Sequence, residues 1–255
     1  MNKINFKSIN NLNIIIIKVI KRNSKVKPES LEQKLKINFT KNIKNYFTLL
    51  NILLIGEKNC GKTTLIKSIL NQENENIIKN LNNIIFYENN IIPNLKFIEY
   101  DIVDLFDSDK LEPIIDIIKQ IIEINMDNNA IFCIWYCIEP YGNIYPNVRK
   151  LLHDLFLLYN NIAPIITVLT QSIDNYTSNK YINYLRECGF ETPFIIVLST
   201  RISFFGNQEL KSLGKKDLIV TTFSKIIEKR EESFIFLENQ YTLEIIKNKL
   251  LKINE

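Results

Sequence analysis

Residues Leu49 to Thr64 read Leu-Leu-Asn-Ile-Leu-Leu-Ile-Gly-Glu-Lys-Asn-Cys-Gly-Lys-Thr-Thr. The run from Leu49 to Ile55 is nearly all apolar, as in a strand buried on both faces. It stops at Gly56, and Gly56-Glu57-Lys58-Asn59-Cys60-Gly61-Lys62-Thr63 fits the spacing G-x-x-x-x-G-K-[ST] without a gap. From Lys62 to Leu70 the period changes, and Leu65, Ile66, Ile69 and Leu70 fall on one helical face. Strand, glycine-bounded loop and helix thus follow one another directly. The chain has only six glycines, so two at the required positions carry information.

The chemistry of such a loop follows from its main chain. Gly56 lets the chain leave the strand in a tight turn, and Gly61 removes the Cβ where the backbone must approach a ligand. Successive N–H groups from Lys58 to Thr64 would point inward at a helix amino terminus, a concavity suited to phosphate. Lys62 would set an ammonium on the β- and γ-phosphates, and Thr63 would offer its hydroxyl to Mg²⁺. Thr64 would lie near the α-phosphate. Cys60 is read as a small neutral residue whose amide matters, although a thiolate near Lys62 could be reactive.

Outward from this point strand and helix signals alternate. Ile84 to Tyr87 and Leu95 to Tyr100 read as strands. A helix with Pro113 in its first turn runs to about Ile124. Ile131 to Ile138 is a continuous apolar strand, and Asn147 to Leu158 is helical. Ile165 to Leu169 and Phe194 to Leu198 are short buried strands, separated by a helix ending near Cys188-Gly189. From Lys215 to Asn254 the pattern is mostly helix, broken near Glu231. Continuous apolar strands with helices between them predict an α/β fold, a doubly wound, mainly parallel sheet with flanking helices. Ligands bind such sheets beyond the carboxyl ends of the strands. The expected organisation is a basic extension over 1–47, a nucleotide domain over 48–230 and a terminal helix over 231–255.

The stretch from about Leu49 to Lys229 resembles the Era-like, translation-factor-related class of P-loop GTPases, with degenerate switch and base-recognition motifs. The resemblance implies GTP or GDP with Mg²⁺ as ligands. It implies that Asp101, at the end of Phe97-Ile98-Glu99-Tyr100-Asp101, organises Mg²⁺. The family's glycine three residues further on is Asp104 here, and residues 71–96 hold no Thr or Ser to serve as a switch ligand. In the base-recognition stretch Thr170 matches, Gln171 replaces a lysine, and Asp174 falls one residue late. Ser199, after the strand Ile195 to Leu198, resembles the last base-contacting motif. No water-positioning side chain can be named, so the catalytic residues are unknown.

Composition bounds the rest. Ile and Asn make up about a third of the chain and only two alanines occur, a pattern of AT-rich codons that lowers the information in any single Lys or Asn. With 46% apolar and 24% charged residues a packed core is expected. No apolar run approaches the ~20 residues of a membrane span. The net charge of +4 is uneven: residues 1–50 carry +9 and the remainder −5. A basic arm of this kind could touch an anionic membrane surface or RNA. The expected location is cytoplasmic, with residues 1–28 open as an organelle-targeting segment because no acid precedes Glu29. Four cysteines without C-x-x-C spacing and the lone His153 argue against a zinc site or a histidine-based triad. The leading reading is a guanine-nucleotide-binding switch or assembly factor with weak hydrolysis, acting on an unknown protein effector. The alternatives are a non-catalytic module of the same fold and an ATP-binding enzyme with the same loop.

Overall fold

The computed structural model describes residues 49–71, 77–81, 84–88, 92–102, 116–123, 131–140, 163–172, 175–198, 202–203, 209–210, 213–230 and 234–254. The basic arm, the expected helix start at Pro113 and the expected 147–158 helix with His153 lie outside the described residues, as do Asp104, Asp174 and Ser199. All described elements belong to one compact unit, Phe47–Glu255.

The chain forms β1 (Leu50–Glu57), α1 (Lys62–Leu70), β2 (Ile77–Leu81), β3 (Ile84–Glu88) and β4 (Leu95–Ile102). Residues 116–123 form helix α2. Then come β5 (Ile131–Ile138), β6 (Ile165–Leu169), α3 (Asn175–Glu187), β7 (Phe194–Ile196), α4 (Lys215–Arg230) and α5 (Phe234–Ile253), with a small separate pair, β8 (Ile202–Ser203) and β9 (Glu209–Leu210), before α4. The main sheet has the order β2-β3-β4-β1-β5-β6-β7. Its pairs from β4 to β7 are parallel, and β2 and β3 are joined antiparallel at one edge. The doubly wound, mainly parallel α/β sheet expected from the pattern is therefore the observed fold.

Strand parity divides the core. Leu50, Ile52 and Leu54 of β1 join Phe97 of β4 and Cys133 and Trp135 of β5 in one cluster with Leu65, Ile66 and Ile69 of α1, Leu218 and Phe223 of α4, and Leu243, Ile246 and Leu250 of α5. Each such fully buried aliphatic side chain contributes about 1.5–3 kcal/mol. The residues of opposite parity, among them Leu53, Ile55, Ile98, Phe132 and Ile134, are buried as well, so both faces of the central strands are covered. Trp135 stacks at a tilt on Phe97 and donates its indole N–H to Thr222 Oγ1 at 2.9 Å, which joins β5 to α4. Asn254 donates to Ile69 O at 3.0 Å and Lys215 to Ser68 O at 3.3 Å, both on carbonyls at the end of α1.

Two departures from the sequence reading concern the edges. Strand β2 lies in the Asn-rich residues 71–83, where the sequence pattern gives no strand, and the last parallel strand is shorter than expected, ending at Ile196 with Leu198 in an isolated bridge to Leu213. Central strand β1 runs parallel to both its neighbours, β4 and β5, and its carboxyl end delivers the glycine-bounded loop.

Candidate functional site

The loop leaves β1 where the register pairs Gly56 with Asp101 of β4. Gly56 has no room for a side chain: a Cβ there would lie 2.3 Å from Cys137 O and 2.8 Å from Cys60 Sγ. Asn59 and Gly61 have φ of 67° and 93°, left-handed values that curl the main chain back on itself. Gly61 is the amino-terminal cap of α1 and supplies no side-chain hydrogen bond. The first main-chain bond of the helix runs from Leu65 N to Gly61 O at 2.9 Å. The amides of Lys62, Thr63 and Thr64 precede it and have no carbonyl one turn back within the helix. The helix start therefore presents its donors, with the positive end of its dipole, to the hollow of the loop.

Lys62 is almost fully buried, at 2% exposure. Its ammonium has three hydrogens, and three oxygens surround it: Gly56 O at 3.0 Å, Glu57 O at 2.7 Å and Asp101 Oδ1 at 2.8 Å. Burial pulls its pKa down, and the Cys60 sulfur and the Asp101 carboxylate more than offset this, leaving it above the ordinary lysine value. The Cys60 thiol is pushed up to about 11, by burial first, with Lys62 opposing. At neutral pH Cys60 is a neutral thiol within the loop, 3.4 Å from Cys137 O.

Thr63 donates to Glu99, 2.8 Å from Oε1 and 3.0 Å from Oε2. Glu99 is itself buried at 3% exposure and accepts from the Tyr87 hydroxyl of β3 at 2.6 Å. The two residues assigned together to a metal, Thr63 and Asp101, thus have different partners. Thr63 faces Glu99, and Asp101 faces Lys62. Glu99 and Asp101 are two residues apart on β4 and share a face.

The end of β6 closes the loop from the other side. Thr170 donates its hydroxyl to Cys60 O and also lies 3.2 Å from Ile138 O. Gln171, with φ of 56°, donates Nε2 to Asn59 O at 2.7 Å. Of the expected base-binding residues, Thr170 and Gln171 are brought to the loop; Asp174 and Ser199 lie outside the described residues. Glu57, Lys58, Asn59 and Thr64 are exposed on the loop. The Glu57 carboxyl is raised by partial burial and by Glu139, with Lys62 acting against them.

The donor set suits a hard cation shared with a phosphate. Thr63 offers a hydroxyl oxygen whose hydrogen is held by Glu99, so its lone pairs remain available. Mg²⁺ is typically held by one or two such oxygen groups plus substrate phosphates. Among the described residues no group of three or more His, Cys, Asp or Glu side chains is placed to hold a metal ion. No helix among the described residues is long and apolar enough to cross a membrane.

Sheet order, loop and buried lysine define the class: an α/β domain of the P-loop type. No protein-family model matches the chain, and no curated protein matches it. Among solved structures it is similar to a bacterial selenocysteine-specific elongation factor, EF-Sec, at 17% identity and a TM-score of 0.42, over 72% of this chain and 29% of that one. It is similar to a nucleolar GTP-binding protein 1 from Plasmodium falciparum at 15% identity and a TM-score of 0.45, over 76% and 95% of the two chains. A small COPII coat GTPase SAR1 from Encephalitozoon cuniculi, in complex with GDP, matches at 17% identity and a TM-score of 0.43, over 84% and 94%. The chain spans less than a third of the length of the elongation factor.

Proposed function

We propose that this protein binds a guanine nucleotide, GTP or GDP, with Mg²⁺, and serves as a switch or assembly factor. The observation that carries the reading is the uncapped start of α1 behind a loop with two left-handed residues, with Lys62 buried beneath it. That arrangement concentrates main-chain donors and one cation on a single small volume, which suits the diphosphate group of a nucleotide. On this reading residues 48–230 form the nucleotide domain, 1–47 a basic arm with an anionic membrane or RNA as its partner, and 231–255 a terminal helix.

Each residue then has a task. The amides of Lys58 to Thr64 hold the α- and β-phosphates. Lys62 neutralises charge on the β- and γ-phosphates. Thr63 would hold Mg²⁺, with Glu99 fixing the hydroxyl and Asp101 the second carboxylate within reach. Such a cation neutralises phosphate oxygens when bound. Thr170 and Gln171 brace the loop through Cys60 O and Asn59 O, and Asp174 and Ser199 complete the base pocket. Guanine rather than adenine rests on the resemblance of the 170–174 stretch to a base-recognition motif. Hydrolysis is assigned to no side chain.

Displacement of a fluorescent GDP analogue from the full chain tests the reading. Unlabelled GDP and GTP are expected to compete, and ATP is not. Equal displacement by ATP would remove the guanine assignment while leaving the phosphate site standing.

A further inference from the structure

We infer that Tyr87 of β3 is a positioning residue for the cation, acting through Glu99 on the hydroxyl of Thr63. The inference rests on the reading above of a nucleotide bound with Mg²⁺, and it adds a residue that no sequence motif marks. It begins with an absence in the sequence. Residues 71–96 hold no Thr or Ser, and Tyr87 is the one hydroxyl-bearing side chain among them. The fold carries that hydroxyl to the carboxylate that faces Thr63. Tyr87 donates to Glu99 Oε2 at 2.6 Å, and Thr63 Oγ1 lies 3.0 Å from the same oxygen and 2.8 Å from Oε1.

Strand register explains the reach. β3 and β4 are antiparallel, with Ile85 opposite Glu99 and Tyr87 opposite Phe97. Residues two apart share a face, so Tyr87 is the diagonal neighbour of Glu99, at a separation that a long side chain spans. The Tyr87 ring is buried in the core cluster with Phe97 and Leu65, which fixes where its hydroxyl points. Glu99 is buried too. Among the described residues its hydrogen-bond partners are these two hydroxyls, and the nearby ammonium of Lys62 pairs with Asp101. A buried carboxylate depends on such donors for its orientation as well as its energy. Without the Tyr87 bond, Oε2 keeps only its longer contact with Thr63, and the carboxylate can turn about its last torsion. The Thr63 hydrogen is then held less firmly, and its lone pairs are less well aimed at Mg²⁺. Asp101 keeps its place as the second carboxylate of the site.

The test is equilibrium titration of the full chain with labelled GDP, in Mg²⁺ and in EDTA, for the wild type, Tyr87→Phe, Glu99→Gln and the double variant. Tyr87→Phe keeps the ring and removes the donor. The ratio of affinity in Mg²⁺ to that in EDTA is expected to fall about tenfold, the lower end of the range for residues that orient a metal ligand. Affinity in EDTA should move less than about threefold, since the amide nest holds the phosphates. In the Glu99→Gln background the same change should move the ratio less than about twofold, because both residues act on one hydroxyl. Thr222→Val, which strands a buried donor between β5 and α4, controls for lost stability and should keep the wild-type ratio. Thermal melting checks that each variant folds. A Tyr87→Phe ratio equal to that of the wild type overturns the inference and leaves the nucleotide reading intact. A ratio that rises also overturns it, since Tyr87 would then compete with Thr63 for the carboxylate. Additive losses in the double variant overturn it as well, since Tyr87 would not act through Glu99. A wild type whose GDP affinity ignores Mg²⁺ removes the cation from the reading above, and this inference with it.

Discussion

Thr63 of the first helical turn and Glu99 of β4 share a hydrogen bond, with Oγ1 2.8 Å from one carboxylate oxygen and 3.0 Å from the other. The bond fixes the rotamer of the hydroxyl that the proposed Mg²⁺ would use. A partner one bond removed from a ligand typically governs metal affinity by about 10–100-fold. Glu99→Gln keeps the shape and removes the charge, so the ratio of nucleotide affinity with Mg²⁺ to that with EDTA should fall by about that factor. Glu99→Asp, which keeps the charge, should retain more of the ratio than Glu99→Gln. A purely packing role predicts the reverse order.

Much of this site could be read from residue order, and the reasons differ by residue. The strand, loop and helix from Leu50 to Leu70 were legible because spacing alone dictates them: Gly56 where a Cβ collides, Gly61 at a left-handed φ, a lysine and threonine at the helix start. Glu99 was not. Reading the strand end by distance along the chain selects Asp101, whereas the side chain that meets Thr63 depends on which of two same-face positions the register places there. Strand β2 was hidden for another reason. Its sequence, Ile-Ile-Lys-Asn-Leu, sits at a sheet edge where polar residues are tolerated, inside a stretch that looks like compositional bias. Gln171 stands where the base-recognition stretch has a lysine, and its hydrogen bond to Asn59 O depends on a left-handed backbone that no sequence pattern announces.

Trp135 and Thr222 offer a check on the fold that should not touch the site. The indole N–H has a hydroxyl partner at 2.9 Å, and both residues are buried. Thr222→Val keeps the volume and strands that donor, which costs about 1–3 kcal/mol. The urea midpoint should drop with an unchanged slope, and nucleotide affinity should stay at the wild-type level.

Glu57 gives a pH dependence with a definite sign. Its folded pKa is raised by burial and by Glu139, against the pull of Lys62. A carboxyl raised on folding favours the folded state at low pH, and that contribution is lost as pH rises through the folded pKa. At neutral pH the charged Glu57 therefore works against the fold. Glu57→Gln should be more stable than the wild type at pH 7, by less than about 1 kcal/mol because the residue is exposed to screening solvent. The difference should vanish below the ordinary glutamate range. Thermal melts of both proteins across pH 3 to 8 measure it.

The central claim is that the loop from Gly56 to Thr63 holds phosphate around Lys62. Calorimetric titration of GTP into the full chain and into folded Lys62→Ala tests it most directly. Saturable binding by the wild type is expected, weakened by about 100-fold or more in the variant, which loses a charged donor and leaves Asp101 unpaired. Equal affinity in the two proteins would contradict the account.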